Sequence, residues 1–241
     1  MAAGEVNSNI VGYVTKGLVK NQKLQSGAQF VEVGTNELDI ASIVLEGVPV
    51  GSTVSIMWWD GADYGEARWS NRADFPVNTH TGWVNPGGYV GAKKTFAPGE
   101  GFWIVAPDDD AVTVDAKVTQ AGEVALSSEI TYDFAVVANK KYMVINPLAT
   151  DIDISDIELM DVPVGSTVSI MWWNGTNYGE ARWSNRADFP VNTHTGWVNP
   201  GGYVGATKTF APGDGFWIVL PDDEGVLSGA KIKIANQVQV L

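Results

Sequence analysis

The sequence predicts an all-β protein built as two tandem β-sandwich or β-barrel-like domains formed by an internal duplication, and three observations carry that expectation. Residues 48 to 107 recur as residues 162 to 221 with six differences at a constant offset of 114: Asp60/Asn174, Ala62/Thr176, Asp63/Asn177, Lys93/Thr207, Glu100/Asp214 and Ala106/Leu220. Apolar residues alternate with a period of two, the pattern of half-buried strands. Helical periodicity is nearly absent.

The repeat divides the 241 residues into units 1-120 and 121-241, each large enough for a core of its own. AGEV at 3 to 6 recurs at 121 to 124 and marks the start of each unit. The stretches leading into the copies, 7 to 38 and 125 to 152, are barely alike. Period-two runs appear at Val112–Val118, at Tyr132, Phe134 and Val136, and at Ala230, Ile232 and Ile234. In Thr53–Trp59, Val54, Ile56 and Trp58 point one way and Ser55, Met57 and Trp59 the other. Asp60-Gly61 and Asn174-Gly175 then supply hairpin turn chemistry, and EARW resumes the extended path. Short apolar pieces near Ile40–Leu45 and Ile154–Met160 fit one helical turn or a strand. Ser70 to Lys94 and Ser184 to Lys208 lack a period and read as long loops, the kind that are often functional. APGEGFW and APGDGFW place a turn before FWIV, a short central strand.

Composition narrows the function classes. A net charge of −13 repels phosphate backbones and anionic headgroups, so neither nucleic acid nor a membrane surface is an expected partner. There are no cysteines, hence no disulfide framework and no thiolate chemistry. No apolar run reaches the roughly 20 residues of a membrane span, and the N-terminal segment lacks signal-peptide regions.

The order GYV, GVPVGSTVSIMWWDGADY, FAPGEGFWIV and AGEV resembles secreted two-copy β-rich surface-repeat proteins of Verrucomicrobia and related bacteria. That resemblance spans both halves and implies an all-β protein that is extracellular or at the cell surface. The near-identity of the two copies departs from the pattern.

Ten tryptophans, five at matching places in each copy, are the most distinctive side chains. Trp58, Trp103, Trp172 and Trp217 lie in apolar strands and are expected in the core. Trp59, Trp83, Trp173 and Trp197 sit on the other strand face or in the loop and are candidates for exposure. Joined by Tyr64, Arg68 and Tyr89, and by Tyr178, Arg182 and Tyr203, they make a duplicated aromatic surface of the composition that carries binding energy at interfaces. Two copies of one patch predict self-association into a homo-oligomer or filament. The alternative is a bivalent carbohydrate-binding module in which the loop tryptophans stack on sugar rings.

Chemistry is not the expected function. His80 and His194 are one residue seen twice, six places after Asp74 and Asp188, and no nucleophile elbow, zinc-protease motif, phosphate loop or dinucleotide fingerprint is present. No cofactor is expected. Asp60, Asp63 and Glu66, with Asn174, Asn177 and Glu180, offer hard oxygens that could hold Ca²⁺, but the spacing is not that of an EF-hand, and an Asx-rich turn accounts for them without an ion.

Overall fold

The computed structural model describes residues 11–31, 37–48, 54–70, 82–86, 91–107, 115–124, 129–133, 141–162, 168–184, 196–200, 205–220 and 230–235. These form antiparallel sheets with no α-helix among them.

In the first half, β2 (Lys23–Gly27), β10 (Gly101–Val105), β6 (Ser55–Trp59), β7 (Tyr64–Ser70) and β8 (Gly82–Val84) make a five-stranded sheet in that order. A second sheet centres on β11 (Lys117–Val124), which pairs with β1 (Val11–Gly17), β3 (Phe30–Val31) and β5 (Val44–Glu46). A short ladder joins β4 (Leu38–Asp39) to β9 (Thr95–Phe96).

The second half repeats this plan. Its five-stranded sheet is β13 (Lys141–Ile145), β20 (Gly215–Val219), β16 (Ser169–Trp173), β17 (Tyr178–Ser184) and β18 (Gly196–Val198). Its second sheet is β12 (Glu129–Asp133), β21 (Lys231–Ala235) and β15 (Ile157–Met160), and its ladder is β14 (Ile152–Asp153) with β19 (Thr209–Phe210).

Each half buries its own core between its sheets. In the first, Ile56, Phe102 and Ile104 of the five-stranded sheet meet Leu45 and Val118 of the other. In the second, Ile170, Phe216 and Ile218 meet Leu159, Ile232 and Ile234. Burying each such side chain contributes about 1.5–3 kcal/mol. The aromatic centres are closely alike: Phe96 lies 4.7 Å from Phe102 with Trp58 edge-on at 6.0 Å, and Phe210 lies 4.8 Å from Phe216 with Trp172 edge-on at 6.0 Å.

The hairpin between β6 and β7 forms where its residues predict it. Asp60 Oδ1 accepts from the backbone N–H groups of Ala62 and Asp63 at 2.9 and 2.8 Å, and Gly61 takes a φ of +99° that a side chain would resist. Across the ladder Trp58 faces Gly65. A Cβ at Gly65 would lie 2.2 Å from the Trp58 indole, so this glycine is what lets the ring lie over the strand.

Three sequence expectations change. The ambiguous pieces are both things at once: a 3-10 turn at Ile40–Ser42 followed by β5, and one at Ile154–Asp156 followed by β15. Asp39 starts the first turn by accepting from Ala41 N at 2.9 Å. The stretches read as long loops contain β8 and β18, which extend the five-stranded sheets. Finally, β11 runs unbroken past position 120. Ala121 pairs with Tyr13, and Glu123 and Val124 with Val31 and Phe30, so AGEV at 121 to 124 belongs to the first half's sheet.

Candidate functional site

Each five-stranded sheet has a second face, turned away from its own core. Strand alternation puts Gln25, Trp103, Met57, Trp59, Tyr64, Glu66 and Arg68 on that outer face in the first half, in the registers Trp103 with Gln25, Trp103 with Met57, Trp59 with Tyr64 and Ser55 with Arg68. Met143, Trp217, Met171, Trp173, Tyr178, Glu180 and Arg182 are their counterparts. The two outer faces pack against each other. Trp103, Met143 and Trp217 are buried there, with Met57, Trp59, Val105, Met171, Trp173 and Val219 partly buried around them.

Glycines set the closeness of this seam. A Cβ on Gly215 would lie 2.4 Å from Gln25 Cγ, and a Cβ on Gly101 would lie 2.4 Å from Met143 Cγ. Gln25 and Met143 occupy equivalent places, so each half inserts one side chain over a glycine of the other. The Gln25 amide, with its nitrogen toward Gly215 O at 2.9 Å and its oxygen toward Phe216 N at 3.2 Å, also reaches the backbone of β20. Backbone crosses the seam too, through Ile145 N donating to Gly99 O at 3.0 Å and a bridge between Glu100 and Val144. At the rim, Gln29 Nε2 donates to Leu148 O at 3.4 Å and Lys16 Nζ meets Asp214 Oδ1 at 3.4 Å. Burial pulls the Lys16 ammonium below the usual lysine range, and Asp214 opposes that pull.

The predicted aromatic surface divides in two. Trp59, Tyr64 and Arg68 do share one face, as do Trp173, Tyr178 and Arg182. Trp59 meets Tyr64 edge-on at 4.9 Å, and Trp173 meets Tyr178 at 5.1 Å. The tyrosines are about half exposed, 51% and 49%. Partial burial raises both phenol pKa values, and Tyr178 is raised further by the charge of Tyr64. Arg68 and Arg182 are exposed, with Nε on Glu66 at 3.0 Å and on Glu180 at 3.1 Å. Such pairs contribute at most about 1 kcal/mol.

Trp83 and Trp197 are not on that face. They are 3% and 4% exposed, and their indole N–H groups donate to Ile43 O at 2.8 Å and Ile157 O at 2.7 Å. Each packs edge-on against Trp69 or Trp183 at 5.2 Å. The expectation of loop tryptophans open to a ligand is corrected: they sit in β8 and β18, whose inner face closes the core, and their one polar atom is spent on a backbone carbonyl. Tyr89 and Tyr203 lie outside the described residues, as do His80, His194, Asp74 and Asp188.

Trp103 and Trp217, expected in a core, are buried, but in the seam and not in either half's own centre. Sequence reasoning missed Gln25, Met143, Gly101 and Gly215 altogether. The available signal was FWIV itself, whose four residues are apolar on both faces of a strand. Of the oxygens considered for Ca²⁺, those of Asp60 and Asn174 cap their turns, and those of Glu66 and Glu180 hold the arginines. Among the described residues no group of three acidic or histidine side chains could hold a metal ion, and no helix is long and apolar enough to cross a membrane. No protein-family model, no characterised protein and no solved structure matches the chain.

Proposed function

We propose that this is a non-enzymatic structural protein, extracellular or at the cell surface, that self-associates through the outer face of its repeated sheet. The observation that carries the reading is the seam: the outer face of one sheet packs on the near-identical outer face of the other. A surface complementary to its own copy within a chain is complementary to the same copy in a neighbour. Halves exchanged between chains would close into a dimer or continue into a filament, according to whether the rotation closes. Tyr64, Arg68, Tyr178 and Arg182 remain accessible beside the seam and have the chemistry of interface anchors. The placement outside the cell rests on the resemblance to secreted surface-repeat proteins.

Light scattering on a size-exclusion column over a wide concentration range tests this. The expected result is a mass above the 25.8 kDa of one chain that rises with concentration. Tyr64→Ala with Tyr178→Ala should weaken the association about tenfold or more. A mass of one chain at every concentration would sink the structural reading.

A further inference from the structure

Beside the seam lies a groove that shares Trp103, Trp173 and Tyr178 with the outer sheet faces and adds residues of the leading segment. Its first lobe, about 390 Å³, is lined by Asn21, Gln22 and Lys23 of the first half, by the seam residue Trp103, and by Trp173 and Tyr178 of the second. A second lobe of about 230 Å³ shares Gln22, Lys23 and Trp173 and runs on to Lys208 and Asp214. The two lobes adjoin, with Gln22, Lys23, Trp173 and Gly175 lining both.

Its chemistry is mixed in a particular way. Trp173 is half-buried, and Tyr178 stands edge-on to it at 5.1 Å with about half of its surface exposed, so two aromatic side chains are rigidly held yet accessible. Facing them are the exposed amides of Asn21 and Gln22 and the ammonium of Lys23. Asn21 is fixed in a left-handed turn at φ +57°, its N–H bound to Pro107 O at 3.2 Å, so this wall is built and not floppy. At the hairpin tip Gly175, φ +97°, has nothing within 4 Å of where a Cβ would be, which leaves the backbone open to close approach.

Aromatic faces take the C–H side of a pyranose ring, while amides and an ammonium suit its hydroxyls. A purely apolar ligand would leave three polar walls without partners, at a cost for each desolvated group. Polyanionic chains are disfavoured by the net charge of −13. We propose that this groove is a binding site for a neutral, linear oligosaccharide, with one ring on Trp173 and Tyr178 and its neighbour in the second lobe toward Lys208. It is one composite site made by both halves, in place of two sites on loop tryptophans, and it does not depend on the self-association reading.

Isothermal titration of the full chain with cellotetraose, xylotetraose, mannotetraose and chitotetraose, and with decaproline, tests the proposal. The expected result is saturable binding of at least one tetrasaccharide with a Kd at or below about 1 mM. Tyr178→Ala and Gln22→Ala, both at exposed positions, should each weaken it about tenfold. Tyr13→Ala, an exposed β1 position outside the lining of both lobes, should leave it unchanged. No saturable heat from any of the four sugars at about 10 mM would overturn the proposal. So would a Kd unmoved by both groove variants, or binding of decaproline alone, which would assign the groove to proline-rich peptides.

Discussion

Gln25 and Met143 stand at the same place in two nearly identical sheets and hold the opposite half by different chemistry. Both lie beside the central tryptophan of their sheet, Trp103 or Trp217, and both cover a glycine across the seam. Gln25 reaches the backbone of β20 through its amide, whereas Met143 offers only apolar contact and its strand's backbone meets Gly99 and Glu100 directly. The repeated segment therefore supplies a nearly twofold frame, and the unrepeated leading strands β2 and β13 decide what fills each side of it. Substitutions inside the repeat should act alike in the two halves; substitutions that touch the leading strands should not.

The largest effect tests the first half of that rule. Trp83→Ala and Trp197→Ala each remove a fully buried indole and leave a backbone carbonyl, Ile43 O or Ile157 O, without its donor. Each should cost about 3–5 kcal/mol in urea denaturation. The two costs should agree within about 1 kcal/mol, because the packing around the two rings is the same to within 0.1 Å in the indole hydrogen bond. Unequal costs, or costs near zero, would break the claim that the two rings are equivalent core residues.

Next come Gly101→Ala and Gly215→Ala, alike in sequence context but for Glu100 and Asp214, and different across the seam. At Gly101 a Cβ meets Met143 Cγ at 2.4 Å and also the Met143 carbonyl carbon and oxygen at 3.0 Å, atoms that move only with β13 itself. At Gly215 its three nearest neighbours are all atoms of the Gln25 side chain, which can shift without moving β2 but at the expense of the amide's contacts with β20. Overpacking costs about 1–3 kcal/mol, and Gly101→Ala should fall at the upper end with Gly215→Ala below it. Equal losses in a thermal or urea melt, or the reverse order, would mean that the seam is symmetric after all.

Much of this fold was legible in the sequence, and the residues show why. Period-two alternation around Asp60-Gly61 predicted the hairpin of β6 and β7, because hairpin pairing is local and its turn chemistry explicit. The central position of FWIV followed from its being apolar on both faces. Trp83 was misread because β8 has three residues, too few to show a period, and stands amid turn-forming residues. The seam was not legible at all. Whether Met57 and Trp59 face solvent, a partner or the chain's own second copy depends on tertiary packing that strand alternation does not encode. The duplicated aromatic face was found in part for the same reason: alternation groups Trp59 with Tyr64 and Arg68 but does not say how near the second copy lies.

The smallest effect sharpens the comparison most. Glu100 and Asp214 are one of the six differences between the copies, and one methylene separates them. Both accept from the backbone N–H three residues earlier, Ala97 or Ala211, at 3.1 Å. The longer Glu100 also reaches Lys94 Nζ at 2.7 Å, within its own half. Asp214 instead takes Lys16 across the seam at 3.4 Å. Asp214→Glu gives the second copy the first copy's residue, and the new carboxylate should close on Lys208 as Glu100 closes on Lys94. Lys16 would then keep its burial and lose the charge that offsets it, so its pKa should fall further below the ordinary lysine value. The stability change should stay under about 1 kcal/mol, since the carboxylate is partly exposed. A ¹⁵N or ¹³C titration of the Lys16 side chain reads the effect directly, and the coupling between positions 16 and 214 in a double-mutant cycle with Lys16→Met should vanish. An unmoved Lys16 titration would mean that the length of this one side chain does not direct the ion pair across the seam, and that the leading strands alone make the halves differ.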